Sequence, residues 1–260
     1  MALLDVRGLT KDFGGVRAVN ELDLDIEAGQ IVSVIGPNGA GKTTLFNLIT
    51  GLAPIDAGQV ALDGHSIVGL RPNQILELGI ARTFQNVRLF PEMTVLENVM
   101  VARHCRTRSG MLKAILRPPS FRREEAETRR RAEEALAFFG SRLVGWRLDT
   151  HARSLSYANR RRLEIARAIA SDPRVLLLDE PTAGMNPYET QELTGLIRKL
   201  RDDTGIAILL IEHDMRVVKG ISERVVVLDY GQKIADGSYR EVASNDRVVE
   251  AYLGRRAAAG

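Results

Sequence analysis

The sequence predicts an α/β fold in which a mixed β-sheet core carries an inserted helical lobe. Short, nearly continuous apolar runs such as RVLLLDE suit strands that are buried on both faces of a parallel sheet. Segments with the apolar spacing of a helix lie between these runs. A glycine-rich stretch, GPNGAGKTT, follows one run and precedes a helix. Strands and helices that alternate around such a loop are typical of an α/β core.

The N-terminal part of the chain is dominated by short apolar runs, which we interpret as strands of a mixed sheet. Turns that contain glycine separate the runs, for example Gly14–Gly15 and Asp63–Gly64. The third run leads into the glycine-rich stretch, and KTTLFNLITG predicts a helix that Gly51 ends. The four runs are ALLDVRGL, AVNELDLDI, QIVSVIG and QVALDG.

From about Gly79 to Gly140 the pattern changes to helical spacing with many charged residues. TVLENVMVARH predicts one helix, because Thr94 and Glu97 have the spacing of a capping box. EEAETRRRAEEALAFFG predicts a second helix that Gly140 ends. The stretch between them, SGMLKAILRPPSFRR, contains prolines and is expected to be a loop or a broken helix.

Helices and buried strands alternate again in the second half of the chain. LSYANRRRLEIARAIA, from Leu155 to Ala170, has the apolar spacing of a helix. NPYETQELTGLIRKLRDD has a strong helix start, with Asn186 as the cap, Pro187 at the first position and Glu189 third. The runs RVLLLDE, AILLIEH and RVVVLDYG are predicted to be the strands.

Composition places the chain among ordinary globular proteins, with 260 residues of which 45% are hydrophobic and 27% charged. The longest apolar stretches, such as IAILLI, are too short to span a bilayer, and the N-terminus lacks the apolar core of a signal peptide. Cys105 is the single cysteine, which excludes an internal disulfide and fits a reducing cytoplasm.

The formal net charge of +3 conceals one basic segment. Between Arg103 and Arg131, ten arginines or lysines stand against three glutamates. The rest of the chain is therefore slightly acidic, and we expect no nucleic-acid partner. Two interpretations of the basic segment stay open: contact with anionic lipid headgroups, or a solvated insert.

The glycine-rich stretch matches the phosphate-loop pattern G-x-x-x-x-G-K-[ST]. Glycines let successive N–H groups turn toward phosphate oxygens, and the following helix adds its positive end. We expect Lys42 to reach the β- and γ-phosphates of ATP and Thr43 to place its hydroxyl on Mg²⁺. A plain glycine turn before a helix is the structural alternative. The predicted nucleotide-binding residues are Gly36, Pro37, Asn38, Gly39, Ala40, Gly41, Lys42, Thr43 and Thr44.

Two carboxylates, Asp179 and Glu180, end the strand RVLLLDE. Open α/β sheets bind ligands at the carboxyl ends of their strands. Asp179 is therefore predicted to bind nucleotide through the Mg²⁺ shell, and Glu180 to orient and polarise the water that attacks the γ-phosphate. His213 ends another strand and is a candidate for γ-phosphate contact, although a lone histidine is more often structural. Gln85 lies where the core meets the helical lobe, and alone it would be explained by a polar loop.

These segments in this order resemble an ABC-type ATP-binding cassette over nearly the whole chain: GPNGAGKTT, RTFQN, LSYANRRRLEIARAIA, LLLDEP and IEHD. The resemblance implies a P-loop NTPase fold with a mixed-sheet core, an N-terminal antiparallel β subdomain and an inserted helical subdomain. It implies one ATP-binding domain over 1–237, with the core at about 1–83 and 160–237 and the helical lobe at about 84–159. A short C-terminal tail over 238–260 would follow.

The same resemblance implies roles for four further sites. Phe13 corresponds to the aromatic residue that stacks on adenine. Gln85 corresponds to the loop residue that touches Mg²⁺ and moves with the membrane partner, and His213 to a catalytic contact of the γ-phosphate. The segment AGMN, Ala183 to Asn186, corresponds to the loop that crosses a dimer to the other nucleotide.

The helix behind Ser156 raises a separate question, because Arg160, Arg161 and Arg162 follow its start. Helix N-termini already carry positive potential, so such a cluster predicts an anion nearby. The resemblance implies that Ser156 points at ATP bound by a second protomer in a head-to-tail dimer, and that this γ-phosphate is the anion. The alternative is a solvated face whose arginines extend into water.

The sequence departs from the family's Leu-Ser-Gly-Gly-Gln pattern, since LSYAN stands in its place. Ala158 would cost about 1–2 kcal/mol if its position needed a positive φ, and nothing if it is helical. Loss of one transition-state donor costs roughly a hundred- to a thousand-fold in rate elsewhere, so Ala158 and Asn159 could weaken this half of a shared site. Asn186 also replaces the family's aspartate.

Finer resemblance is to the ATP-binding subunits of branched-chain amino acid importers, carried by KDFGGVRAVN, GIARTFQNVRLFPEMTVLENVMV and RRRLEIARAIA. It implies ATP hydrolysis for transport, two permease subunits, a second ATPase or a second copy of this chain, and indirectly a solute-binding protein. The location implied is peripheral, on the cytoplasmic face of the membrane.

Three other functions stay open at this point: an importer ATPase for amides or urea, a soluble ABC ATPase outside transport, and a nucleotide-binding regulatory module without turnover. The intact Glu180 speaks against the last of these.

Overall fold

Two β-sheets form the framework of the computed structural model, which describes residues 2–107 and 111–253. The smaller sheet is antiparallel, with the strand order β2-β1-β4-β5. The larger sheet has the order β10-β9-β3-β8-β7-β6 and is parallel except for β10. The strands are β1 Leu4–Phe13, β2 Val16–Ile26, β3 Ile31–Ile35, β4 Ala57–Leu62, β5 His65–Ser66, β6 Ile80–Arg82, β7 Val175–Asp179, β8 Ala207–Ile211, β9 Arg224–Asp229 and β10 Gln232–Gly237.

The α-helices cover both faces of the larger sheet and build the inserted lobe. Among the described residues they are α1 Lys42–Ile49, α2 Pro72–Leu78, α3 Val95–Ala102, α4 Met111–Leu116, α5 Pro119–Ala137, α6 Tyr157–Ile169, α7 Pro187–Thr204, α8 Met215–Ile221, α9 Tyr239–Ala243 and α10 Asp246–Leu253. In this part of the chain, no helix is long and apolar enough to cross a membrane.

The larger sheet separates two cores because side chains alternate along its strands. In β7, Val175 and Leu177 face a core that is shared with the smaller sheet and with α1. Leu176 and Leu178 face the opposite core, which the inserted lobe, α6 and α7 complete. All four side chains are fully buried, which explains why this strand is a continuous apolar run.

A third and smaller core lies at the C-terminal end of the chain. It contains Ile35 at the end of β3, together with valines of α8 and β9, and Val242 of α9 and Val248 of α10 close over them. The segment predicted as a short tail therefore contains two packed helices as far as Leu253, and its remainder, 254–260, lies outside the described residues.

The four predicted N-terminal strands are confirmed, but they belong to two sheets and not to a single mixed sheet. ALLDVRGL, AVNELDLDI and QVALDG form the antiparallel sheet, whereas QIVSVIG lies in the centre of the larger sheet. The physical reason is burial: all five residues of β3 are buried, while β2 and β4 each have partly exposed residues.

The predicted helix starts are confirmed by the caps, one in the lobe and one in the core. Thr94 and Glu97 form the predicted capping box of α3, and Asn186 and Glu189 form another at α7. The predicted broken helix is present as α4 and α5, which are interrupted ahead of Pro119. The second helix begins five residues earlier than Glu124, because proline is well tolerated in the first turn.

Truncation of Leu177 tests the core between the two sheets. We expect Leu177→Ala to lower the free energy of unfolding by about 2–5 kcal/mol, because the side chain is fully buried and leaves a cavity. Urea unfolding followed by circular dichroism measures the change. Leu52→Ala is the matched control, since Leu52 is 48% exposed and its loss should change the midpoint little. Equal losses in the two variants would contradict this assignment of the core.

Candidate nucleotide site

The phosphate loop connects β3 to α1 in a conformation that requires glycine. Gly36 and Gly41 have φ values of 148° and 101°. A Cβ atom on Gly36 would lie 2.1 Å from the Leu228 carbonyl oxygen, and one on Gly41 would lie 2.4 Å from that of Ala18. No side chain caps α1 among the described residues. The first N–H groups of the helix are therefore available to an anionic ligand.

Lys42 lies within the loop rather than in solvent. Its Nζ donates to the carbonyl oxygens of Gly36 and Pro37 at 2.7 and 2.9 Å. Burial lowers the pKa of the Lys42 ammonium, and the charges of Glu180 and Asp179 partly oppose this effect. An anion bound in the loop would supply the close negative charge that this ammonium lacks.

The structure brings the three predicted catalytic residues together. Glu180 follows β7, and its Oε1 lies 2.7 Å from Nε2 of His213. Its other oxygen, Oε2, accepts a hydrogen bond of 3.1 Å from Nε2 of Gln85. Glu180 has a φ of 49°, a conformation that non-glycine residues rarely adopt and that clusters at functional sites. The roles of these residues in hydrolysis stay predictions.

The carboxylate of Asp179 is buried beside this cluster. Its Oδ2 accepts a hydrogen bond of 2.8 Å from Nη2 of Arg82, and its backbone N–H donates to Oγ1 of Thr83. Its Oδ1 has no hydrogen bond within residues 2–107 and 111–253. The sequence analysis did not identify Arg82, although RTFQN contains it, because nothing in its spacing indicates a carboxylate almost a hundred positions away.

Glu212 is a second residue that the sequence analysis missed. Its buried Oε1 accepts hydrogen bonds from the N–H and Oγ1 of Thr182 at 3.0 and 2.6 Å. Its Oε2 accepts from the backbone N–H groups of His213 and Asp214. Glu212 therefore fixes the loop after Glu180 against the loop that carries His213. The only available signal was its position inside IEHD, between a buried strand and the histidine.

The helix behind Ser156 starts as predicted. Ser156 is the N-cap, and its Oγ accepts a hydrogen bond from the Asn159 N–H at 3.4 Å. Ala158 is the second residue of α6 and has no positive φ. The backbone therefore imposes no cost on alanine here, which favours the second alternative of the sequence analysis. Contact of Ser156 with a partner's nucleotide stays a prediction.

Arg161 and Arg162 have their anions within this chain, which corrects the prediction that a partner's phosphate is the anion for these two arginines. Arg161 is fully buried and lies 2.9 Å from the carboxylate of Glu164. Arg162 is equally buried and lies 2.7 Å from Glu192 on α7. Arg160 donates to backbone carbonyl groups that precede the helix. The solvated face is wrong for the two buried arginines, because buried guanidinium groups need carboxylate partners.

The buried pair Arg161 and Glu164 also holds the loop around Gln85, residues 84–88, which we call the glutamine loop. Oε1 of Glu164 accepts hydrogen bonds from the N–H groups of Phe84 and Arg88, at 3.3 and 3.2 Å. Arg161 donates to the carbonyl oxygens of Phe84 and Gln85, at 2.5 and 2.6 Å. Two side chains of α6 thus satisfy four backbone groups around Gln85. Helix α6 and the glutamine loop therefore form one hydrogen-bonded unit.

Three other predicted residues lie as follows. Phe13 is half-exposed in the hairpin between β1 and β2, whose second strand contacts the phosphate loop at Ala18. Thr43 is exposed on the first turn of α1. Asn186 caps α7 by accepting a hydrogen bond from the Glu189 N–H at 2.9 Å. Its local role explains an asparagine here, and contact with a partner's nucleotide stays a prediction.

Most charges of the basic segment already have partners within the chain. Arg103 is buried, and its guanidinium lies 2.7 Å from Asp172. Along α5, arginines pair with glutamates three or four residues away, and hydrogen bonds from Arg130 and Arg131 lower the pKa of Glu127 to about 2. Arg108 lies outside the described residues. Lipid contact stays a prediction, and the charge available for it is smaller than the sequence count indicates.

Removal of Glu164 tests the hydrogen-bonded unit around the glutamine loop. We expect Glu164→Ala to lower the free energy of unfolding by about 3–5 kcal/mol, because Arg161 then stays buried without its carboxylate. Thermal or urea unfolding measures the loss. In the matched control Glu133→Ala, the pair with Arg129 is exposed on α5, and the midpoint should stay nearly unchanged. A stable Glu164→Ala protein would show that the pair is not structurally required.

Comparison with known proteins agrees with this geometry. The family model described as ABC transporter matches residues 19–183, and the one described as branched-chain amino acid ATP-binding cassette transporter matches 232–258. The chain is 46% identical over 257 residues to the high-affinity branched-chain amino acid transport ATP-binding protein BraF of Pseudomonas aeruginosa, with 97% of this chain and 98% of BraF covered.

Two solved structures show the same fold. The ADP conformation of MJ1267, an ATP-binding cassette of an ABC transporter, is 32% identical with a TM-score of 0.83, and covers 98% of this chain and 100% of its own. The dimeric structure of MJ0796, a bacterial ABC transporter cassette, is 27% identical with a TM-score of 0.76, and covers 91% and 99%. This chain belongs to the ABC transporter family, as an ATP-binding cassette.

Proposed function

We propose that this chain is the ATP-hydrolysing subunit of an ABC importer for branched-chain amino acids. One observation carries the proposal of hydrolysis: both carboxylate oxygens of Glu180 are held, by Gln85 and His213, beside the phosphate loop. The solute follows from the comparisons, because the chain matches BraF over nearly its whole length and matches the branched-chain family model at its C-terminal end. Nothing in the chain itself is assigned to the amino acid.

ATP binding begins at the phosphate loop. The free N–H groups at the start of α1 point to the phosphates, and Lys42 exchanges its contacts with the loop carbonyls for β- and γ-phosphate oxygens. Phe13 stacks on the adenine base. Each of these contacts replaces one that the nucleotide-free chain makes with itself or with water.

Glu180 acts on the attacking water. Its carboxylate accepts a hydrogen bond from the water and polarises it toward the γ-phosphate. Gln85 and His213 fix the carboxylate plane, so that few orientations are open to it. Because the ring of His213 is partly exposed, it also faces the space that a γ-phosphate would occupy.

The residues present fit a Mg²⁺ ion bound together with ATP. Oδ1 of Asp179 is the free oxygen of a buried carboxylate whose other oxygen is held by Arg82. Thr43 would contribute its hydroxyl and Gln85 its side-chain oxygen, Asp179 would act through water, and ATP phosphates would complete the shell. When bound, Mg²⁺ neutralises charge that develops on the phosphates.

We infer that ATP joins two cassettes head to tail, either two copies of this chain or this chain and a related ATPase. Ser156 is exposed at the start of α6, so its hydroxyl and the nearby N–H groups are open to a partner's γ-phosphate. The dimeric structure of MJ0796 supports a dimer for a cassette of the same fold.

The chain has a groove between the core and the lobe that suits a permease subunit. In a dimer of cassettes, each groove would bind one of the two permease subunits. Apolar side chains of α2 and α3 line it, including Leu76 and Val101, together with the exposed ring of Phe90. Arg167 also lines the groove, and burial lowers the pKa of its guanidinium. Within the described ranges this guanidinium has no hydrogen bond or ion pair. An acidic or carbonyl group of a permease helix would satisfy it.

The permeases would hold the subunit at the cytoplasmic face of the membrane, and a solute-binding protein would act on their other side. The names of the relatives favour branched-chain amino acids over amides or urea, and transport over other roles of soluble ABC ATPases.

Replacement of Glu180 tests hydrolysis directly. We expect Glu180→Gln to lower Mg²⁺-dependent phosphate release by at least about a hundred-fold, because the amide cannot polarise water as the carboxylate does. ATP affinity should change by no more than a few-fold. Glu189→Gln is the control variant, because this carboxylate lies in the cap of α7. Undiminished phosphate release would contradict the catalytic role of Glu180, and absent release in the unsubstituted protein would favour a regulatory module.

The mass of Glu180→Gln in solution, measured with and without ATP, tests the dimer. An increase to twice the monomer mass with ATP would show that two copies of this chain form the shared sites. A monomer with bound ATP would assign the second half of each site to a different ATPase.

Reversal of charge at Arg167 tests the docking groove. Reconstituted with its permease subunits in vesicles, Arg167→Glu should lower solute-stimulated hydrolysis roughly ten-fold or more relative to hydrolysis by the isolated subunit. Arg174→Glu is the control, since Arg174 pairs with Asp63 and does not line the groove. An unchanged ratio in Arg167→Glu would exclude the groove as the permease contact.

A further inference from the structure

Arg82 connects two elements of the nucleotide site. Its Nη2 donates to Oδ2 of Asp179 at 2.8 Å, and its Nη1 donates to Oδ1 of Asn47 at 2.7 Å. Asp179 ends β7, whereas Asn47 lies on α1. A single guanidinium therefore joins the strand that follows the lobe to the helix that follows the phosphate loop.

One arm of Arg82 ends on Asp179, which is assigned to the metal shell, and the other ends on the helix that carries Thr43. Asn47 lies four positions after Thr43, and residues at that spacing occupy the same face of a helix. On the other side, Arg82 holds Oδ2 of Asp179, and Oδ1 is the carboxylate oxygen that accepts no hydrogen bond from the described residues. The planar guanidinium thus sets the separation between the Thr43 face of α1 and the free oxygen of Asp179.

The surroundings of Arg82 leave it little freedom. Its side chain is only 5% exposed, and its guanidinium carbon lies 5.3 Å from the ring centre of Phe46 and 5.0 Å from that of Phe84. Its Nε is buried and has no hydrogen-bond partner among the residues described. A buried cation that contacts two rings cannot leave for water at small cost, so the bridge is a fixed part of the site.

We propose that Arg82 is a positioning residue for the divalent metal that accompanies ATP, because it fixes Asp179 relative to Thr43. This inference rests on the proposed function, in which Thr43 and Asp179 contribute to the metal shell. Side chains that orient metal ligands from behind contribute 10- to 100-fold to metal affinity elsewhere, and Arg82 orients Asp179, which would hold the metal through water, in the same manner.

Metal affinity is measured in the Glu180→Gln background, which is expected to hold ATP without turnover. Mn²⁺ is titrated into the protein with ATP, and bound Mn²⁺ is followed by electron paramagnetic resonance. ATP affinity is measured separately in EDTA. Arg82→Met should weaken Mn²⁺ binding 10- to 100-fold and change ATP affinity in EDTA less than three-fold.

Two milder variants keep the test valid if Arg82→Met folds poorly. Asn47→Ala removes one arm and retains the ion pair with Asp179, and it should weaken Mn²⁺ binding several-fold. Arg82→Lys retains the charge but cannot form both arms at once, and it should resemble Asn47→Ala. Arg174→Met removes an arginine from an exposed pair and should change nothing.

The outcomes distinguish this inference from the function on which it rests. Loss of Mn²⁺ binding in Asp179→Asn, together with unchanged binding in Arg82→Met and Asn47→Ala, would overturn the role of Arg82 alone. Unchanged Mn²⁺ binding in Asp179→Asn would overturn both assignments. A parallel loss of ATP affinity in EDTA would show that Arg82 supports the pocket as a whole, and would also overturn the proposal.

Discussion

The rest of the structure depends on keeping oppositely charged groups apart at the carboxyl edge of the larger sheet. A site for phosphate needs cations, N–H groups and carboxylates that face one open space, and these groups would otherwise pair directly and close it. The fold prevents this collapse by holding each group from behind. Arg82 holds Asp179, Gln85 and His213 hold Glu180, and the loop carbonyls hold Lys42.

Much of the fold could be predicted from the sequence because its signals are local. The capping boxes at Thr94 and Asn186 are formed by residues three positions apart, and both are present. The strands of the larger sheet were recognisable because burial on both faces leaves few polar residues within them. Strand β6 was missed, since three residues are too few to show a periodic pattern.

The partners of the buried charges could not be predicted in the same way. Arg162 and Glu192 are thirty positions apart in the sequence. Glu212 and Thr182, which form a hydrogen bond, follow two different strands, β8 and β7. A sequence pattern indicates that such residues need partners but not which ones, because the partner is fixed by tertiary packing. The arginine cluster showed this most clearly: the need for anions was correct, and their assignment to a second protomer was wrong for Arg161 and Arg162.

The small core around Ile35 has a consequence for biosynthesis. Ile35 directly precedes the phosphate loop, yet its strand pairs with β8 and β9, and α9 and α10 close the core over it. A ribosome makes the loop well before it makes these supporting elements. The nascent chain therefore contains the complete phosphate-binding motif long before it contains the elements that support it, and we expect nucleotide to stabilise the domain fully only once α9 and α10 have been made.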